Sequence, residues 1–188
     1  MPNKRFVTAN ELLKDAFTLA HQVFTDEFRP THVVGIWRGG APVALAIHEY
    51  LVFKGVPSTP ICISAHSYQG TTQGASVTLD TTALESALSN TQEQVPQILL
   101  VDDILDTGRT LEALISHLTQ TQNVPIEAIK MACPWIKPAQ NQTSLKADYF
   151  IHSTDEWVVF PHELVGIDQK SLIHGKPPEI AAFLKTLD

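Results

Sequence analysis

Ile98-Leu99-Leu100-Val101-Asp102-Asp103-Ile104-Leu105-Asp106-Thr107-Gly108-Arg109-Thr110-Leu111 decides the fold of this chain. Its four leading apolar residues read as a strand buried on both faces, and two carboxylates stand where that strand ends. A short polar turn from Asp106 to Thr110 follows. Leu111, Leu114, Ile115 and Leu118 then recur at helical spacing, the pattern of an amphipathic helix. This order suits a sugar phosphate. Unpaired N–H groups at a helix start receive a phosphate, and the Thr107 and Thr110 hydroxyls add donors. Gly108 lets the backbone come close. Asp102 and Asp103 only accept hydrogen bonds, which fits ribose hydroxyls or a divalent cation.

Outward from this run, helical and strand-like segments alternate. A helix is predicted from Thr8 to about Phe28, opened by Thr8 and Glu11 in capping-box spacing. A strand follows at Thr31–Trp37. Arg38-Gly39-Gly40 then turns into a second helix that ends near Lys54-Gly55. Pro60–Ala65 reads as a strand, Ser67–Ser76 as a mobile loop or hairpin, and Ala83–Leu88 as a helical turn. Beyond the central run, strands are predicted near Ile126–Pro134 and Asp148–Ile151, with a third apolar run at Trp157–Phe160. A short helix covers Pro178–Leu187. This alternation predicts an α/β fold, with a central, mainly parallel sheet and helices on both faces. Ligands then bind at the carboxyl ends of the strands. With no internal repeat or linker, residues 1–188 read as a single domain.

Bulk properties exclude several classes. A chain of 188 residues with 44% hydrophobic content can bury one sizeable core. No apolar run is long enough to span a membrane. Met1-Pro2-Asn3-Lys4-Arg5 leads into a polar-interrupted pattern rather than a signal peptide, so the cytoplasm is the expected location. Cys62 and Cys133 lie in apolar strand-like runs and are expected to be two buried thiols rather than a disulfide or a zinc site. A net charge of −7 without a basic cluster argues against nucleic acid as a partner.

The quoted run resembles the PRPP-binding motif of the type I phosphoribosyltransferases, where PRPP is 5-phosphoribosyl-1-pyrophosphate. The resemblance implies their fold, including a small hood over the active site. It assigns Asp102, Asp103, Asp106, Thr107, Gly108, Arg109 and Thr110 to PRPP and its 5′-phosphate, with Mg²⁺ as cofactor and Asp103 as the metal contact. Gly35-Ile36-Trp37-Arg38-Gly39-Gly40-Ala41-Pro42 is similar to the Arg-Gly-Gly loop that holds pyrophosphate in purine phosphoribosyltransferases. Arg38 and Gly39 take that role here, and a cis peptide is implied at Arg38–Gly39. Ser64-Ala65-His66-Ser67-Tyr68-Gln69-Gly70 resembles the family's flexible loop, with Ser67 and Tyr68 as its pair. Closure of such a loop keeps water from the oxocarbenium-like sugar. The chain departs from its relatives in one respect: no basic residue lies between Lys54 and Arg109.

Trp135-Ile136-Lys137-Pro138-Ala139 and Asp155-Glu156-Trp157-Val158-Val159-Phe160-Pro161-His162-Glu163 resemble the purine-recognition elements of bacterial xanthine-guanine and archaeal-type hypoxanthine phosphoribosyltransferases. By that resemblance Lys137 donates to O6 of the base, Trp157 stacks on its ring, and the Val158 backbone meets its Watson–Crick edge. An ammonium donates to a 6-oxo group and rejects a 6-amino group, which would leave the contact unpaired. Asp106 points the same way, because oxopurine enzymes carry a carboxylate there while adenine and orotate enzymes usually carry a small or hydroxyl-bearing residue. Glu163 is a candidate for a second metal contact. The resemblance runs from about Val33 to Glu163. It implies a purine salvage enzyme that joins hypoxanthine, guanine or xanthine to PRPP through N9, with Asp106 as acid/base near N7, and that works as a homodimer or homotetramer without nucleic acid or membrane. Two alternatives share these features: a phosphoribosyltransferase for another nucleobase, and a non-catalytic PRPP-binding regulator.

Overall fold

The computed structural model describes residues 4–68, 76–89 and 95–187. Their elements run as strand β1 (Lys4–Phe6), helix α1 (Ala9–Thr25), β2 (His32–Trp37), α2 (Gly40–Phe53), β3 (Thr59–Tyr68), β4 (Ser76–Asp80) and α3 (Thr82–Ser89). There follow β5 (Ile98–Val101), β6 (Ile104–Leu105), α4 (Arg109–Gln120), β7 (Ile129–Ile136), β8 (Tyr149–Ser153), β9 (Trp157–Val159), α5 (Gln169–Gly175) and α6 (Pro178–Leu184). Although the sequence reads as one domain, the contacts gather into two compact units. One comprises Asp15–Asp155, and the other joins the chain's ends, up to Lys14 and from Glu156. Among the described residues no helix is long and apolar enough to cross a membrane.

The larger unit is built on a sheet in the order β4-β3-β2-β5-β7-β6, with β8 also paired to β7. Every pair is parallel except the β3–β4 hairpin. The β5 strand is fully buried, as its unbroken apolar run requires of an inner parallel strand. Side-chain alternation divides its residues between two helical layers. Ile98 and Leu100, with Val34 and Ile36 of β2, share one core with Leu111, Leu114, Ile115 and Leu118 of α4 and Leu84 of α3. On the opposite face of β2, a Cβ at Gly35 would fall 2.7 Å from the Ala44 Cβ, so α2 packs directly on the strand backbone there.

This arrangement follows from handedness. Right-handed crossovers put α2 and α4 on opposite faces, because β2–α2–β3 steps one way across the sheet and β5–α4–β7 the other. The strand order therefore reverses between β2 and β5, and a crevice opens at their carboxyl ends.

The terminal unit pairs β1 with β9 in parallel, Lys4 opposite Trp157 and Phe6 opposite Val159. The Lys4 ammonium donates to Asp168 at 2.7 Å and to Ser171 at 3.0 Å, while Asp168 accepts the Ser171 N–H and so caps α5. The capping box at the start of α1 forms as its spacing predicts. The Glu11 N–H donates to Thr8 Oγ1 at 3.2 Å, and the Thr8 N–H donates to Glu11 Oε2 at 2.8 Å.

Three expectations change. The Trp157–Phe160 run joins no main-sheet strand; its partner is the three-residue β1, near the other end of the chain. The strand expected at Pro60–Ala65 continues to Tyr68, because its end pairs antiparallel with β4. Cys62 is exposed, although Cys133 is buried as expected. It stands on the β3 face opposite Ile63, in a shallow cleft with Gly35, Ala44, Leu45 and Pro60 that α2 leaves open.

Candidate active site

Between β2 and β5, Gly39 meets the Asp103 carboxylate and Gly40 meets the backbone at the end of β5. Beyond Val101 the Asp102 N–H still donates to the Ala132 carbonyl at 3.2 Å, which holds the end of β5 against β7. The Asp102 carboxylate turns back to accept the Asp103 N–H at 3.0 Å. Burial pushes the Asp102 carboxyl up to about 7, against the Asp103 N–H, which favours its charged form. Asp103, only 9% exposed, places its carboxylate against the β2–α2 turn. A Cβ at Gly39 would fall 1.9 Å from its Oδ2, and one at Gly40 would fall 2.3 Å from the Val101 carbonyl oxygen. Only glycine admits this approach. Arg38 projects its exposed side chain from the same turn.

The cis peptide precedes Arg38, at Trp37–Arg38, and not Arg38–Gly39 as the resemblance implies. Pairing of β2 continues through Trp37, opposite Ser64, so the chain leaves the sheet at the very next bond.

Downstream, Ile104 and Leu105 pair with Trp135 and Ile136 as β6, which fixes the floor of the polar turn. Gly108 sits at φ +78° and caps α4, a left-handed conformation that a side chain would resist. It offers no side-chain acceptor to the first turn of α4, its carbonyl accepts the Glu112 N–H at 2.9 Å, and N–H groups at a helix start are suited to an anion. A cleft of about 160 Å³ is lined by Asp102, Asp103, Asp106, Thr107, Gly108 and Thr110. Arg109 is exposed and does not line this cleft.

Lys137 reaches the same site from the end of β7. Its N–H donates to the Leu105 carbonyl at 2.9 Å, and its ammonium lies 3.4 Å from Asp106 Oδ2. The structure thus brings together Asp102, Asp103, Asp106, Thr107, Gly108, Thr110 and Lys137. It also places Asn141 and Thr143 against Gly108, which the sequence did not single out. Their polar loop carries no periodic pattern, and only the folded turn reveals its neighbour.

Among the described residues no group of three His, Cys, Asp or Glu converges as a metal cage. The paired carboxylates of Asp102 and Asp103 still suit a small hard cation that takes its other oxygens from substrate phosphate and water.

Ser67 and Tyr68 end β3, paired through their backbones with Val77 and Ser76, whereas residues 69–75 of the expected loop lie outside the described residues. In the terminal unit, Trp157 is 42% exposed and carries the Lys4 ammonium 5.5 Å from its ring centroid, while Val158 is buried. Glu163 accepts the Phe160 N–H at 3.0 Å, a turn-closing contact. The Lys176 ammonium, buried in the same unit, donates to the Phe160 carbonyl at 2.7 Å and to the Pro161 carbonyl at 3.1 Å.

Comparison with known proteins bears on this site. The family described as phosphoribosyl transferase domain matches residues 3–168. Among solved structures, the chain is similar to a purine phosphoribosyltransferase from Pyrococcus horikoshii Ot3. The two are 26% identical over 88% of this chain and 97% of that one, with a TM-score of 0.64. A xanthine-guanine-hypoxanthine phosphoribosyltransferase from Helicobacter pylori is 24% identical over 84% of this chain and 92% of its own, with a TM-score of 0.62. A hypothetical protein from Neisseria gonorrhoeae, solved with bound ppGpp, shares the fold at 15% identity over 90% and 94% of the two chains, with a TM-score of 0.67. No curated protein matches the sequence.

Proposed function

The chain belongs to the phosphoribosyl transferase domain family, and from that premise we propose that it transfers the phosphoribosyl group of PRPP to N9 of a 6-oxopurine. The products are pyrophosphate and a nucleoside 5′-monophosphate, and the role is purine salvage. One observation carries this reading: the Lys137 ammonium and the Asp106 carboxylate stand 3.4 Å apart at the PRPP turn. A donor for a 6-oxo group and an acceptor for a ring proton are the two groups an oxopurine needs. The match over residues 3–168 draws on both compact units, and we treat them as one phosphoribosyltransferase domain.

In this mechanism N9 forms its bond to C1′ as the bond from C1′ to the pyrophosphate oxygen breaks, and positive charge builds on the ribose ring. The protein supplies position and charge rather than a covalent nucleophile. The α4 N-terminus, with Thr107, Gly108 and Thr110, receives the 5′-phosphate, and Arg109 adds a positive charge nearby. Asp102 and Asp103 accept from the ribose hydroxyls. Arg38 and the Gly39 backbone hold the pyrophosphate, as Ser67 and Tyr68 close from the end of β3. Asp106 takes up the proton released from N7 as N9 bonds to C1′, and Lys137 donates to O6. For Trp157 and Val158 we keep the purine contacts that the resemblance implies; the exposed indole offers the flat face this needs. Asp103, with Asp102 beside it, would hold Mg²⁺, whose positive charge would offset that of the pyrophosphate when bound. A cytoplasmic setting and a homo-oligomer belong to the same proposal. Helix α2 is apolar on nearly every side and exposes Leu45, Val52 and Phe53, a surface suited to a second copy. Light scattering should show a dimer or tetramer that Leu45→Glu dissociates, and a monomeric native protein would remove this element.

The direct test is pyrophosphate release from PRPP and Mg²⁺ with hypoxanthine, guanine, xanthine, adenine, orotate and uracil in parallel. Turnover confined to oxopurines is the expected result. Silence with every base, together with clear PRPP binding, would make the chain a regulator and give weight to the absence of a basic residue between Lys54 and Arg109. Lys137→Met is expected to narrow the preference for hypoxanthine over adenine by about tenfold or more, since it removes the donor that rejects a 6-amino group. Unchanged selectivity would take Lys137 out of the base site.

A further inference from the structure

The segment that follows β7 connects the two halves of the site just described. Lys137 begins it, and the Lys137 carbonyl accepts both the Gln140 N–H at 3.0 Å and the Asn141 N–H at 3.2 Å. The Gln142 N–H then donates to the Thr107 carbonyl at 3.0 Å. One short turn therefore grips the backbone of the lysine and the backbone of the phosphate turn together.

Two side chains stiffen it. Asn141 Oδ1 accepts the Thr143 N–H at 2.9 Å and the Thr143 hydroxyl at 2.8 Å, while Asn141 Nδ2 donates to the Leu145 carbonyl at 2.8 Å. Thr143 Oγ1 accepts the Leu145 N–H at 3.2 Å. Both side chains stand against Gly108, where a Cβ would fall 2.4 Å from Thr143 Oγ1 and 2.8 Å from Asn141 Oδ1. Gly108 is also the residue whose left-handed backbone directs the first N–H groups of α4. Any shift of Thr143 would release the wall that holds this turn in place.

We infer that Asn141 and Thr143 are positioning residues that hold the phosphate-receiving turn Thr107–Gly108 in register with Lys137. Neither touches the reacting atoms. They act by keeping the backbone donors of the phosphate turn and the base-facing lysine at a fixed spacing, so that PRPP on the turn meets the base on the lysine. The inference rests on the proposal that this turn takes the 5′-phosphate, and its test can fail separately from that proposal.

The test uses the full chain and ribose 5-phosphate as probe, with calorimetry for affinity and steady-state rates for KM. Thr143→Val keeps the branched shape but removes the hydroxyl, and Thr143→Ser keeps the hydroxyl. Thr143→Val is expected to weaken ribose 5-phosphate binding about tenfold and raise KM for PRPP to match, whereas Thr143→Ser stays within about twofold of wild type. Asn141→Ala, an independent disruption should Thr143→Val fail to fold, is expected to behave like Thr143→Val. The double variant should lose little more than either single change, since both act through one turn. Wild-type affinity in Thr143→Val or Asn141→Ala, with only the unfolding midpoint lowered, would reduce the pair to a structural role and overturn the inference. Equal losses in Thr143→Ser and Thr143→Val would also overturn it. Failure of the wild-type chain to bind ribose 5-phosphate would instead strike the phosphate site itself, and the inference with it.

Discussion

Replacement of Asp106 by asparagine is expected to lower turnover by about 10²–10⁴-fold, the usual worth of a positioned acid or base. Asparagine keeps the shape of the carboxylate and its carbonyl acceptor but cannot take up the ring proton. Affinity for PRPP should hold within a few-fold, because the backbone donors of the phosphate turn and the carboxylates of Asp102 and Asp103 are untouched. Stability should scarcely move. The Lys137–Asp106 pair has a separation of 3.4 Å and leaves the Asp106 side chain 45% exposed, and such pairs contribute little to folding. Turnover with saturating base and PRPP, set beside PRPP affinity from calorimetry, separates the possibilities. Wild-type turnover would end the acid/base assignment. A large loss of PRPP affinity with turnover kept would move Asp106 to the sugar.

The second large effect distinguishes two adjacent glycines. In Gly39→Ala the new methyl falls 1.9 Å from Asp103 Oδ2, so the carboxylate must swing out of the crevice. A side-chain tip can move without disturbing the sheet. The variant should fold normally but lose activity by about 10²-fold, the scale set by misplacing a catalytic group by about 1 Å. In Gly40→Ala the methyl meets the Val101 carbonyl oxygen at 2.3 Å and the Asp102 Cα at 2.8 Å, both backbone of a buried strand. Nothing there yields cheaply. The expected outcome is a loss of about 1–3 kcal/mol or more in stability, read from denaturant unfolding. Equal melting of the two variants, or full activity in Gly39→Ala, would contradict the geometry of this crevice.

How much of this was legible in advance depended on the range of each interaction. The β5 strand, the polar turn and the amphipathic α4 were readable because each rests on a local period or a local cap, and so was the Thr8–Glu11 capping box. Asp102, Asp103, Asp106, Thr107, Gly108 and Thr110, which line the cleft, are readable from the sequence because one contiguous turn carries them all. Lys137 was reached through resemblance, and its 3.4 Å approach to Asp106 depends on the two-residue β6, far too short to show a pattern of its own.

Long-range pairing decided the rest. Lys4–Phe6 has no strand signature and becomes β1 only because β9 lies beside it. The cis bond stands at Trp37–Arg38, one residue before the position the resemblance implies. Cys62 is exposed because α2 covers only part of the β3 face, a matter of helix placement that no strand pattern records. Asn141 and Thr143 show how far such effects reach: in the sequence they are ordinary loop residues, and in the fold they stand against Gly108. The α/β alternation and the run of donors and acceptors in one contiguous turn are local properties of the sequence, because periodicity and capping act within a few residues. Only the tertiary structure decided which carboxylate meets which glycine and which loop braces the turn, because those contacts form between segments whose separation along the chain hides them from any local pattern.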